Sequence, residues 1–199
     1  MPQLKVERFS GSDLHQFLPA LAELRIRVFR EFPYLYEGSE AYEKRYLRKY
    51  VNSNESVLVL VRSGEKVVGA ATGLPLAHEI DDIKNPFRSW NYNIDHIFYF
   101  GESVVLPEYR GMGLGITFFE EREDHVRSLN RFDAITFCAV ERPVNHPRRP
   151  TNYIPMDRFW TRRGFTHQPQ LRTDYSWQDL DEDSESPKPM VFWMKELVP

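Results

Sequence analysis

Internal disulfides are excluded at once, because the 199 residues hold a single cysteine, Cys138. A lone thiol fits a reducing compartment. Long apolar runs are missing too: none approaches the ~18 consecutive residues of a membrane-spanning helix. The opening MPQLKVERF has no signal-peptide core. A cytoplasmic protein with no membrane partner is the expectation. Nor does one sign of charge dominate, since 26 Lys and Arg face 29 Asp and Glu for a net charge of −3. No broad basic field is available to attract nucleic acid, and the pair Arg148 and Arg149 is too short to make one. The six histidines lack ligand spacing such as His-x-x-x-His, so no metal site is expected. Glycine is scarce, at ten residues, yet three of the ten stand at 111, 113 and 115.

Around those glycines the chain reads GESVVLPEYRGMGLGITFFE, residues 101–120. The apolar run Val104, Val105, Leu106 stops at Pro107, and Arg-Gly-x-Gly-x-Gly follows. Beyond Gly115 the spacing of Ile116, Phe119, Glu120 and Glu123 predicts a helix. A strand, a glycine turn and a helix are thus joined with almost no slack. Glycine lets backbone amides approach a ligand with no Cβ in the way. A helix start leaves N–H groups unpaired and carries partial positive charge, so the unit suits a phosphate. It is not a dinucleotide fingerprint, which would want glycine or alanine where Ile116 stands. It is not a P-loop either, for no Gly-Lys-Ser/Thr opens the helix.

Along the rest of the chain, residues 5–9 read as a strand and 14–29 as a helix with an N-cap among Ser10 to Asp13. Residues 40–50 form a second helix, and 56–62 and 66–74 an antiparallel hairpin. The polar segment 75–95, interrupted by Pro75 and Pro86, is expected to be a long loop. Strands are predicted at 97–106 and 133–140, with a helix at 116–129 between them. Pro143, Pro147, Pro150 and Pro155 make 143–155 a rigid loop, and 156–163 a short helix closed by Gly164. Two last strands, 166–177 and 189–197, flank the acidic run 179–186, expected to be a solvated loop. No repeat or linker divides the chain, and 41% hydrophobic residues suffice for one core. A single domain over 1–199, of α/β or α+β class with a mixed sheet, is expected.

The combination Val-x-Pro-x-x-Arg-Gly-x-Gly-x-Gly, Val105 to Gly115, resembles the acyl-CoA-binding motif of the GNAT superfamily of N-acyltransferases. The element order resembles the GNAT topology over nearly the whole chain. The resemblance implies a mixed sheet of about seven strands, splayed between strands four and five and flanked by helices, with acetyl-CoA in the cleft. By position, Ser103, Val104 and Val105 would contact the pantetheine arm. Gly111, Met112, Gly113, Leu114, Gly115 and Ile116 would cradle the pyrophosphate, with Arg110 closing the motif. Asn145 or Asn152 would supply the family's cofactor-contacting Asn.

The implied reaction is acetyl transfer to a primary amine of a small molecule or peptide, by direct attack. A protonated amine needs a base. Glu102 is the candidate, and a salt-bridged strand carboxylate is the alternative for the same residue. Relatives often carry Tyr four residues before the Gly-Phe that ends the short helix, but here Gly164-Phe165 is preceded at that spacing by Trp160. Indole cannot serve as an acid near neutral pH. Tyr153 and His146, in the Pro-rich loop, are the nearby substitutes. Cys138 reads as a packing thiol.

Aromatic residues gather at Phe32, Tyr34, Tyr36, Tyr42, Tyr46 and Tyr50, and again at Phe87, Trp90 and Tyr92. Both groups suit either an acceptor wall or plain packing, and Glu37, Asp81 and Asp82 are candidates to attract an amine. A non-catalytic acyl-CoA-binding module stays open as a second reading. So does a dimerising structural protein, against which the intact glycine turn argues; a homodimer also stays open for the enzyme.

Overall fold

The β-branched runs become one seven-stranded sheet in the computed structural model, which describes residues 3–197. The outermost two residues at each end of the expected 1–199 domain lie outside the described residues. The strands are β1 (Leu4–Ser10), β2 (Val57–Ser63), β3 (Lys66–Pro75), β4 (Ile97–Val105), β5 (Ala134–Val140), β6 (Thr166–Trp177) and β7 (Ser186–Glu196), in the order β1-β2-β3-β4-β5-β7-β6. All neighbours are antiparallel except β4 and β5. Those two pair only at Ile97↔Ala134, Phe98↔Ile135 and Tyr99↔Thr136, and then part. The expected splay is there.

A β-bulge accompanies the parting. Ala71 pairs with Ser103 and Gly73 with Phe100, so Thr72 alone faces both Gly101 and Glu102. An extra residue bends and twists its strand locally. A Cβ on Gly101 would collide with the Tyr50 hydroxyl and Thr72 Oγ1, so glycine is required there.

Five helices flank the sheet: α1 (Leu18–Phe29), α2 (Glu40–Val51), α3 (Asp81–Ser89), α4 (Leu114–Leu129) and α5 (Asp157–Thr161). The first starts later than its spacing predicts, because Gly11–Phe17 is a 3-10 turn. Pro19 has no N–H to close an α-turn onto His15, and its fixed φ suits a first helical turn. Ser39 caps α2, its Oγ accepting from the Tyr42 N–H at 3.3 Å. Gly164, at φ +84°, ends the α5 segment, where the Phe165 N–H reaches the Trp160 carbonyl at 3.2 Å.

Two expectations need correcting. Residues 75–95 are not a loop, since they hold α3 and short 3-10 turns at Leu76–His78 and Ile94–His96. Pro86 sits inside α3, and the carbonyl its missing N–H would have met, that of Asp82, accepts from Thr173 Oγ1 on β6 at 2.8 Å. Thr173→Val should therefore lower stability by about 0.5–1.5 kcal/mol. Urea unfolding checks this, and an unchanged midpoint would mean that water serves the carbonyl equally well.

The acidic run is the second correction. Asp179 is buried and pairs with Arg142 at 2.7 Å and with buried Lys188 at 3.7 Å. Glu182 also binds Lys188, at 2.8 Å, and that contact leads the causes that push its carboxyl down to about 2. β7 also begins three residues earlier than 189. Pro187 and Pro189 are tolerated because β5 pairs with β7 only from Met190 onward.

Candidate active site

Past Tyr99, one edge of β4 has no strand partner, and a cleft of about 880 Å³ opens there. Its walls come from β4, the glycine turn, Phe137 to Val140 of β5 and the loop over 141–156. An unpaired strand edge offers N–H and C=O groups to any extended ligand arm.

Local backbone needs explain the glycine turn. Gly111 and Gly113 have φ of +77° and +83°, the left-handed region that side chains rarely adopt. A Cβ on either would meet no protein atom within 4 Å. Both glycines line the cleft, so the space that side chains would take is left to a ligand. Gly115 differs, for a Cβ there would stand 3.3 Å from Phe159 Cζ. Among the described residues, the amides of Gly111 through Gly115 meet no backbone carbonyl. The Ile116 N–H, expected in the cradle, instead donates to the Gly113 carbonyl at 2.8 Å. Five free amides at the start of α4 fit a pyrophosphate.

The other cofactor candidates are placed unevenly. Val105 lines the cleft, while Val104 is fully buried and turns away from it. Ser103 lines it with its hydroxyl held by Arg122. Leu114 and Ile116 border the cavity; Met112 does not. Arg110 grips Glu31 through both terminal nitrogens, at 2.7 and 3.2 Å, and its Nε donates to the Val105 carbonyl at 3.1 Å. Asn145 is exposed and, like Asn152, lies outside the lining.

Glu102 sits at the bulge, 2% exposed, with Arg25 Nη1 at 2.5 Å from its Oε2. Arg25 also reaches Glu43 at 2.5 Å, so one guanidinium joins two buried carboxylates. Burial works against the charge on Arg25, but Glu102, Tyr46 and Glu43 raise its pKa well above the usual value. The Tyr46 and Tyr50 hydroxyls lie 3.4 and 3.5 Å from the same Oε2. Burial raises both phenol pKa values, so both stay protonated donors. Glu102 Oε1 is buried with no hydrogen-bond partner. Such an orphan is an invitation to a ligand or water donor.

On the opposite face of β4 lies Arg122, 1% exposed. It donates to the carbonyls of Phe118, Thr72 and Glu102 at 3.0, 3.0 and 3.4 Å and to Ser103 Oγ at 2.8 Å. Burial pulls its pKa down to about 9, with Glu102 opposing, so it is charged at neutral pH. The Thr72 and Glu102 carbonyls belong to the bulge, where the ladder is broken. Arg122 restores their partners.

Trp160 packs against Phe137 and Trp193, at 5.0 and 5.2 Å between ring centroids. Tyr153 lines the cleft edge-on to Phe32, at 4.7 Å, under the Arg149 guanidinium at 4.8 Å. Burial raises the Tyr153 pKa and Arg149 opposes it, leaving a protonated hydroxyl. His146 packs at a tilt against Phe32, with ring centroids 5.6 Å apart, and is not part of the lining. Burial pushes the Cys138 thiol up to about 11, with Tyr99 Oη 3.1 Å from its sulfur, which suits packing and not nucleophilic attack. Among the described residues, no three His, Cys, Asp or Glu side chains gather as a metal site, and no helix is long and apolar enough to cross a membrane.

The two aromatic groups part company. Tyr34, Tyr36, Tyr42 and Tyr46 line a smaller pocket beside the cleft, and Phe32 lines the cleft itself. Phe87 is buried against Phe192 and Tyr92, and Trp90 is exposed, so that group lines neither space. Glu37 pairs with Arg30, and Asp81 with Lys84 and Arg88. Asp82 is exposed outside both linings. The carboxylates that do line the small pocket are Glu79 and Glu102. Sequence reasoning missed Arg25, Glu43, Glu79 and Arg122. Three of them carried a signal: Arg25 lies four residues from Leu21, Glu43 four from Leu47 and Arg122 four from Phe118, each a charge on an apolar stripe.

Comparison with known proteins fits this geometry. A family model described as "Acetyltransferase (GNAT) family" matches residues 19–165. A GNAT-family acetyltransferase from Streptococcus pneumoniae is 12% identical, with a TM-score of 0.62 over 98% of this chain and 100% of that one. An acetyltransferase from Streptococcus agalactiae is 20% identical, with a TM-score of 0.59 over 99% and 100%. A ribosomal-protein-alanine N-acetyltransferase from Brucella melitensis is 14% identical, with a TM-score of 0.61 over 97% and 99%. Identities this low speak for the fold alone. No curated protein matches the chain by sequence.

Proposed function

The chain belongs to the GNAT acetyltransferase family, and from that premise we propose that it is a cytoplasmic one-domain N-acetyltransferase, moving an acetyl group from acetyl-CoA to a primary amine of a small molecule or peptide. The observation that carries this reading is the set of five unpaired amides at the start of α4 beside the open edge of β4. When bound, acetyl-CoA supplies an activated acetyl thioester. The amides of Gly111 to Gly115 hold its phosphates, and the β4 edge from Gly101 to Val105 holds its extended arm. Glu102 Oε1 takes a proton from the ammonium, freeing the nitrogen lone pair for attack. As the C–N bond forms and the C–S bond breaks, the Tyr153 hydroxyl gives its proton to sulfur and regains one from nitrogen by way of solvent. Among the structural neighbours, the Brucella ribosomal-protein-alanine N-acetyltransferase supports the peptide part of that range.

A second reading is a non-catalytic acyl-CoA-binding module, favoured by Trp160 in the usual tyrosine's place. Thiol release from acetyl-CoA over an amine panel separates the two. Amine-dependent release supports the enzyme. A thermal shift with acetyl-CoA and no release supports the module.

Gly113→Val should weaken acetyl-CoA binding at least tenfold by calorimetry, because its Cβ enters the cleft and its φ of +83° strains a β-branched residue. Unchanged affinity in a folded variant would remove the cradle assignment. Tyr153→Phe should lower turnover roughly ten- to a hundredfold at unchanged melting temperature. Turnover within twofold of the parent would dismiss Tyr153 as the donor.

A further inference from the structure

We infer that the acceptor is a compact primary monoamine with an aromatic or branched aliphatic body, held in the small pocket beside Glu102; this rests on the enzymatic reading above and narrows it. The pocket has a volume of about 100 Å³ and shares Phe29, Tyr34, Gly101, Glu102 and Cys138 with the large cleft. The two spaces therefore meet at the bulge, where amine and thioester have to meet.

The charged groups select the head of the ligand. Glu102 lines both spaces, and its buried Oε1 has no donor, a deficit that an ammonium group removes. Glu79 is a second buried carboxylate in the wall. Both cations of the pocket are already matched. Arg25 lies between Glu43 and Glu102, and Lys49 binds Glu79 at 2.6 Å while resting 3.8 Å from the Tyr46 ring centroid. Arg122 borders the large cleft and not this pocket. A carboxylate on the ligand would thus find no unpaired cation and would meet Glu79 and Glu102 instead.

The walls select the body. Tyr36, Tyr42 and Tyr46 form a run of rings with centroids 6.1 and 6.2 Å apart. Trp177 continues it against Tyr34 and Tyr175, at 6.0 and 6.3 Å. The Tyr42 and Tyr175 hydroxyls share a hydrogen bond of 2.7 Å, tying α2 to β6 across the wall. Ring faces favour a cation and a flat or apolar body. At ~10–15 Å³ per water-sized sphere, the volume holds roughly seven to ten non-hydrogen atoms. A compact monoamine fills that space on its own, whereas a peptide would place at most its first residue there and leave the rest in the large cleft.

The test uses the whole protein with 2-phenylethylamine, isoamylamine, spermidine, glutamate and an alanine-terminated hexapeptide. Thiol release should show kcat/KM at least tenfold higher for the first two. Calorimetry without acetyl-CoA should show 2-phenylethylamine binding, and glutamate and the hexapeptide should give no heat. Tyr175→Ala should shift preference at least fivefold toward 4-phenylbutylamine, by lengthening the pocket. Preference for the peptide or for glutamate overturns the inference, as does absence of 2-phenylethylamine binding in the parent protein. If acetyl-CoA binds and no amine is acylated, the enzymatic reading falls, and calorimetry alone then decides the pocket's ligand.

Discussion

Arg25→Met is expected to destabilise the fold by about 3–5 kcal/mol, the usual cost of removing one partner from a buried ion pair. Here the cost falls on two groups, since Glu43 and Glu102 both lose their cation at 0% and 2% exposure. Urea unfolding measures it. Neutralising the partners as well, in Arg25→Met/Glu43→Gln/Glu102→Gln, should recover most of the loss. A single variant within 1 kcal/mol of the parent would mean that water reaches the triad and screens it.

Glu102→Gln should lower kcat by about a hundredfold or more, the range that positioned acid–base groups contribute. Acetyl-CoA affinity should change little, because the proposed contacts to it are backbone amides and the β4 edge. Stability should fall far less than in Arg25→Met, since glutamine keeps the shape and Arg25 retains Glu43. A kcat within a few-fold of the parent would assign the base to another group, with Glu79, in the same pocket wall, the next to examine.

Features with short-range causes were legible in the sequence. The glycine turn is one, because positive φ at 111 and 113 and a helix start directly after them are local demands. The order of strands and helices is another, because it follows hydrophobic period. Features that depend on a distant partner were not. Pro86 reads as a helix breaker until Thr173, 91 residues beyond Asp82, supplies the missing donor. Asp179 reads as solvated because its neighbours are acidic, and only the fold brings Arg142 and Lys188 to it. Likewise, Glu102 could be called base or salt-bridged carboxylate from sequence, and only the fold brings Arg25 of α1 to it as an ion-pair partner. Its Oε2 is ion-paired and its Oε1 is free.

The seam between β4 and β5 would leave most sheets with a hinge. Here Arg142, just past the end of β5, donates to the carbonyls of Pro33 and Tyr34 at 2.7 and 2.8 Å, beyond the end of α1. Its ion pair with Asp179 anchors the other end of the strut. Backbone bonds from Glu37 to Gln178 and from Leu180 to Leu35, both 2.8 Å, reinforce the same crossing. Prising the halves apart must break these links together, so the gap behaves as a slot of fixed width and not as a jaw. The contacts that strap the sheet at this end therefore also bound how far the cleft beside them can widen.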